Sequence, residues 1–184
     1  ELQEGRNATD LEALEMRGKQ LLLLAKVRER SGNISAALST LREAKENQAR
    51  CIQRSVVSSS VTSHKQILAE ICLTMAAHAT AIRDWDQAIN HYKEALQHKP
   101  SDITSLLSLA KLYMQVNDLD KCAQSCTALL TADPNNEAAS VMMADLAFRK
   151  VDFETAAYHF KQLLLRRPTY WTALARLIEV SRRT

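Results

Sequence analysis

Apolar residues along this chain fall at the spacing of helix faces. The run Leu21–Ala25 belongs to an amphipathic pattern, and Leu174, Leu177 and Ile178 line one face near the end. Polar stretches punctuate the pattern: Ser31-Gly32-Asn33, Ser55 to Ser63, and Asp133-Pro134-Asn135-Asn136. The pattern predicts helices near 9–30, 34–54, 64–82, 86–98, 103–116, 120–132, 136–149, 153–166 and 169–182. Ser55 to Ser63, with Ser58, Ser59 and Ser60 in a row, reads as a loose linker.

The pattern also repeats. Pro100, Pro134 and Pro168 stand 34 residues apart, and other positions recur in the same phase. Counted from Ala69, Ile103 and Glu137, the eighth position is Ala76, Ala110 and Ala144. The twentieth is Ala88, Cys122 and Ala156. Small side chains at these two places let paired antiparallel helices approach closely. The twenty-fourth position (Tyr92, Cys126, Phe160) and the twenty-seventh (Ala95, Leu129, Leu163) fill the space toward the next hairpin. Acidic residues at sixteen (Asp84, Asp118, Asp152) and eighteen (Asp86, Asp120, Glu154) suit the N-terminal end of a second helix, where a cap and a negative charge are favourable. Proline ends that helix because it lacks an N–H and restrains its predecessor. From Gly18 the phase continues with less fidelity through Leu24, Ala25, Asn33, Ile34, Ser35, Ala37, Leu41 and Ala44.

The organisation expected is therefore a divergent hairpin with a long second helix over 1–54, a polar linker over 55–63, three regular repeats over 64–168, and the first helix of a further, truncated repeat over 169–184. That last helix has no partner to follow it. Leu174, Leu177 and Ile178 are expected to face either a continuing array or another chain, and a start at Glu1 rather than Met points to a piece of something longer.

Composition sharpens this. Three glycines and three prolines in 184 residues are too few for an all-β fold, and 46% apolar residues suffice for a continuous core. A net charge of +3 describes a mixed, solvated surface, and no basic cluster calls for nucleic acid. The segment from Arg149 to Thr184 has eight basic against three acidic residues; that balance could meet an acidic partner or nucleic acid, and the reading adopted is a solvated convex face. No apolar run is long enough to span a membrane, and no signal peptide is visible. Cys51, Cys72, Cys122 and Cys126 form no CxxC pair and fit a reducing, intracellular compartment.

The search for chemistry finds no nucleophile motif, phosphate loop or HExxH. Cys122 and Cys126 share a helix face but lie at packing positions, so they are expected to be reduced core thiols. His64, His78, His91, His98 and His159 have no thiol or acidic partner at ligand spacing; His91 and His159 recur two periods apart, as wedges between helices. Asp84 and Asp86 imitate an acid/base pair, but their recurrence in each repeat marks them as helix caps. The expectation is a protein that is not an enzyme and has no cofactor, metal, small-molecule substrate, nucleic-acid ligand or membrane insertion, with other proteins as partners.

The 34-residue phase resembles the tetratricopeptide repeat, which implies an all-α right-handed superhelix, an α-α solenoid. In that architecture first helices line a concave groove. The candidate partner contacts there are Leu73, Leu107, Lys111, Met114, Met142, Asp145, Phe148 and Arg149. Chaperone-binding tetratricopeptide domains hold an acidic C-terminus with Lys, Asn and Arg. The matching positions here are Leu73, Ala77, Ser108, Ala138 and Met142, which build no such clamp. The groove is expected to mix apolar and weakly polar side chains and to suit a helix.

Longer segments narrow the resemblance. MMADLAFRK (Met142–Lys150), FETAA from Phe153, LLLRRP (Leu163–Pro168), AKVRERSGN (Ala25–Asn33) and EICLTMAAHATAIRDWDQAINHYKEAL (Glu70–Leu96) occur in an order that resembles the tetratricopeptide repeat protein 21 family. The resemblance implies a scaffold subunit of intraflagellar transport complex A. It implies a cytoplasmic and ciliary location, at ciliary base and axoneme, and a role in retrograde transport and cilium assembly. The alternative is a co-chaperone-type adaptor that takes a helical or apolar peptide in its groove.

Overall fold

The computed structural model describes residues 2–55 and 57–183, with side chains in the first helix from Asp10 onward. Nine helices are found among the described residues: α1 (Leu2–Arg30), α2 (Ile34–Arg54), α3 (Ser58–Ala81), α4 (Trp85–His98), α5 (Ile103–Gln115), α6 (Leu119–Ala132), α7 (Glu137–Arg149), α8 (Phe153–Arg166) and α9 (Trp171–Arg183). The fold is the all-α tetratricopeptide solenoid. The chain divides into two compact units, Glu1–Pro100 and Ser101–Thr184. In the first, α1 pairs with α2, α2 with α3 and α3 with α4. In the second, α5 pairs with α6, and α6 through α9 pack in succession.

Local chemistry sets the hairpins. Asp84, Asp118 and Asp152 each accept a hydrogen bond from the backbone N–H three residues on, capping α4, α6 and α8; Asn33 does the same for α2. The preceding turn is also shared. Gly32, Arg83, Asn117 and Val151 all have φ between 60° and 78°, the left-handed region. Behind each, the first helix closes with paired hydrogen bonds, as in Asp84 N–H to Ala79 O at 2.9 Å and Arg83 N–H to Thr80 O at 3.1 Å. This is the Schellman arrangement, which satisfies carbonyls the helix would otherwise leave bare. Only Gly32 adopts that backbone without steric cost.

The packing positions behave as their residue types require. Ala76, Ala110, Ala144, Ala88, Cys122 and Ala156 are fully buried at the helix crossings. In the divergent hairpin Ala25, Ala37, Leu41 and Ala44 are buried, whereas Leu24 is exposed. Cys122 lies so close to α5 that its Sγ contacts Ala110 O at 3.2 Å. Between α1 and α2 the close approach needs Gly18: a Cβ there would stand 3.1 Å from Asn47 Nδ2, which donates to Leu14 O at 2.7 Å.

Three expectations are corrected. First, α1 begins at Leu2, ahead of residue 9. Second, Ser58, Ser59 and Ser60 open α3 rather than forming a loose loop. Serine is only mildly unfavourable in helices, and hydroxyls here return to the backbone, as in Thr62 Oγ1 to Ser58 O at 3.0 Å. With Val61 half-buried on the same segment, packing outweighs the weak local preference. Third, Leu177 does not lack a partner. It packs with Phe160, Leu163, Ala173 and Val180 in the core that joins α8 to α9. Leu174 is half-buried, and Ile178 stays exposed together with Trp171.

Candidate functional site

In the second unit the first helices of successive hairpins, α5, α7 and α9, share a face. Residues at spacings of three and four stack along it: Lys111, Met114 and Gln115 from α5; Met142, Asp145, Phe148 and Arg149 from α7; and Arg176 from α9. Together they line a groove of about 460 Å³. Six of the eight residues expected from sequence therefore meet in one place. Leu107 is half-buried on α5 and does not line it, and Leu73 belongs to α3 in the first unit. An adjoining hollow of about 380 Å³ shares Lys111 and Met142 and adds Glu137, Ala138, Val141 and Tyr170.

Arg176 was missed by the sequence reading. The signal was present: it occupies the sixth position counted from Trp171, the same position as Met142 and Ser108. Its arrival changes the groove's character. In place of the expected mixture of apolar and weakly polar groups, the lining combines Met114, Met142 and Phe148 with three cations, Lys111, Arg149 and Arg176, and a single carboxylate, Asp145.

Phe148 is fixed by its neighbours. The guanidinium carbons of Arg176 and Arg183 lie 5.4 and 5.2 Å from the Phe148 ring centroid. Glu179 holds both arginines at 3.0 Å, which offsets their mutual repulsion. The ring also meets Phe153 edge to face at 5.8 Å. Each cation–π contact is worth about 0.5–1 kcal/mol at such an exposed site. Burial pushes the Asp145 carboxyl above its ordinary range, while Arg176 and Arg149 pull it back. Lys111 and Arg149 make no hydrogen bond or contact ion pair among the described residues. The groove thus offers two cations without a hydrogen bond or contact ion pair, Lys111 and Arg149, beside apolar side chains that a partner would cover.

Elsewhere, titratable groups serve packing. All four cysteines are free and buried. Burial beside Glu94 pushes the Cys72 thiol up to about 12, far from a reactive thiolate. Cys126 is pushed up by hydrogen bonding with Cys122 and by burial. His91 on α4 is half-buried, 3.9 Å from Glu94, and Lys45 of α2 bonds the same carboxylate at 2.6 Å. His78 on α3 lies 3.6 Å from Glu29 of α1, and His159 is half-buried beside Tyr158. No helix among the described residues is long and apolar enough to cross a membrane.

Comparison with known proteins agrees with the hairpins and their order. The family model "Tetratricopeptide repeat protein 21 forth ARM domain" matches residues 1–96, "TT21 fifth ARM repeats domain" matches 137–184, and a tetratricopeptide repeat model matches 79–146. Human tetratricopeptide repeat protein 21A is 39% identical over 168 residues, 90% of this chain and 13% of that protein. Human tetratricopeptide repeat protein 21B is 43% identical over 130 residues, 70% of this chain and 10% of its own length. The chain thus spans about an eighth or less of these relatives. Among solved structures, the Arabidopsis OM64 TPR domain superposes with TM-score 0.59 at 20% identity, covering 65% of this chain and 99% of that one. The first TPR of Spaghetti (RPAP3), bound to the HSP90 peptide SRMEEVD, gives 0.59 at 15% identity, covering 64% and 94%. The MamA RS-1 double mutant gives 0.67 at 13%, covering 91% and 84%. Two family models in sequence order, and a relative 39% identical over 90% of this chain, establish that this chain belongs to the tetratricopeptide repeat protein 21 family and is built as a repeat scaffold for protein interaction.

Proposed function

We propose that this chain is a non-catalytic scaffold element of an intraflagellar transport complex A subunit, and that the groove of α5, α7 and α9 docks an amphipathic helix of a partner subunit. The observation that carries the docking site is the meeting of Met114, Met142 and Phe148 in one groove, three apolar side chains of the kind that anchor a helix in a groove. The family likeness supports the complex, the retrograde transport role and the cytoplasmic and ciliary location. The lining holds no Ser, Thr, Cys or His, and recognition is the chemistry this reading assigns to it.

The test is affinity capture of the tagged chain from ciliated cells. Complex A subunits should be recovered, and Met142→Ala with Phe148→Ala should remove them while circular dichroism stays unchanged. Recovery of chaperones alone would defeat this reading in favour of an adaptor that binds chaperone peptides. The residues at the clamp positions, Leu73, Ala77, Ser108, Ala138 and Met142, weigh against that outcome.

A further inference from the structure

The groove has a charge as well as a shape. Its lining carries Lys111, Arg149 and Arg176 against Asp145. Lys111 and Arg149 make no hydrogen bond or contact ion pair among the described residues, and Arg176 is engaged by the half-buried Glu179 at 3.0 Å. Cations that could pair with nearby carboxylates do so elsewhere in this unit: Lys150 with Asp120 at 2.6 Å, and Arg167 with Glu137 at 2.7 Å. Arg183, held by the same Glu179, adds a fourth cation beside Phe148.

We infer that the partner segment received here is acidic, with apolar residues that cover Met114, Met142 and Phe148 and flanking carboxylates that meet Lys111, Arg149 and Arg176. Complementary charge sets orientation and speeds encounter, while the apolar contacts supply most of the affinity. Guanidinium groups recognise carboxylates through paired N–H donors, so Arg149 and Arg176 fix direction where the methionines alone would let a helix slide. Asp145 is the one acidic residue of the lining, and it gives the proposal a sign that can be read. Removing it must favour an acidic ligand and disfavour a basic one.

The inference rests on the docking reading above, and the test separates the two. Three fluorescent helical peptides share one Leu/Met stripe and carry Glu, Gln or Lys on their flanking positions; anisotropy reads their affinity for the 184-residue chain. The Glu peptide should bind tightest and the Lys peptide weakest. Lys111→Glu with Arg149→Glu should weaken the Glu peptide about tenfold or more, and Asp145→Asn should tighten it about two- to threefold. Lys161→Glu with Arg166→Glu, both on α8 and neither in the lining, makes the same change in net charge and should leave binding unchanged, which controls for general attraction. A tighter Lys peptide, or a Glu peptide indifferent to the Lys111/Arg149 reversal, overturns the inference. If all three peptides bind equally and Met142→Ala with Phe148→Ala abolishes them, the acidic preference falls and the docking groove stands. If binding is insensitive to Met142 and Phe148, both fall.

Discussion

Val151 is the residue whose replacement should most clearly improve this protein. It stands in the turn between α7 and α8 with φ +63°, a conformation that a β-branched side chain enters only under strain. The turn compels it: Asp152 N–H must reach Ala147 O at 2.9 Å and Val151 N–H must reach Phe148 O at 3.1 Å. Left-handed backbone costs about 1–2 kcal/mol for a residue with a Cβ, and the upper end applies to valine. Glycine removes that cost but returns about 0.5–1 kcal/mol through the greater freedom of its unfolded chain. Val151 is 67% exposed, so the burial lost is only a fraction of a full valine's. The balance for Val151→Gly is a gain of about 0.5–1 kcal/mol, or about 0.25–0.5 M in the urea midpoint at an ordinary slope. Urea unfolding followed by circular dichroism measures it. The ranking matters more than the absolute value. Val151→Gly should gain most, Arg83→Gly less, and Asn117→Gly least, because asparagine tolerates this backbone best. A loss of stability at Val151, or the reverse ranking, would refute the account of these turns.

Other outcomes follow from caps, packing and titration. Asp84→Ala removes the acceptor that holds Gln87 N–H at 3.2 Å and should cost about 1 kcal/mol, seen as faster hydrogen exchange in the first turn of α4. Phe160→Ala empties the core shared by α7, α8 and α9 and should cost about 3–5 kcal/mol in a denaturation series. Ala110→Leu overfills the contact where Cys122 approaches the α5 backbone and should cost about 1–3 kcal/mol, with no change in groove residues. Burial and Lys45 hold the His91 pKa below the ordinary histidine value, with Arg42 adding to this and Glu94 opposing it. The neutral ring is therefore the folded form, and its contribution is complete above the unfolded pKa of about 6.5. Stability should fall as pH drops below that value and level off once pH passes the lower folded pKa. His91→Gln should flatten the decline in urea midpoints between neutral and mildly acid pH; an unchanged slope would assign the decline to other groups.

Much of this protein is decided locally, and its sequence shows it. Caps at Asp84, Asp118 and Asp152, stops at Pro100, Pro134 and Pro168, and alanines or cysteine at the two crossing positions act within one hairpin or between neighbours. Such short-range rules leave a periodic trace, and so the helices, the repeat and the family likeness could be read from letters alone. Six of the eight groove residues were legible for the same reason, because position within a repeat fixes which face a side chain takes.

What needed the fold was whatever depends on elements brought together from afar or on packing that outweighs weak propensity. Ser58 to Ser60 look like linker and are helix because α3 packs as a unit. Leu177 looks unpartnered and is covered by α8. Arg176 is 65 residues from Lys111, yet both border one groove, where Arg176 adds a third cation to Lys111 and Arg149. Sequence period tells which face a residue takes; only the stacking of α5, α7 and α9 decides which charges share a space, because electrostatic character is a sum over neighbours that no single repeat contains.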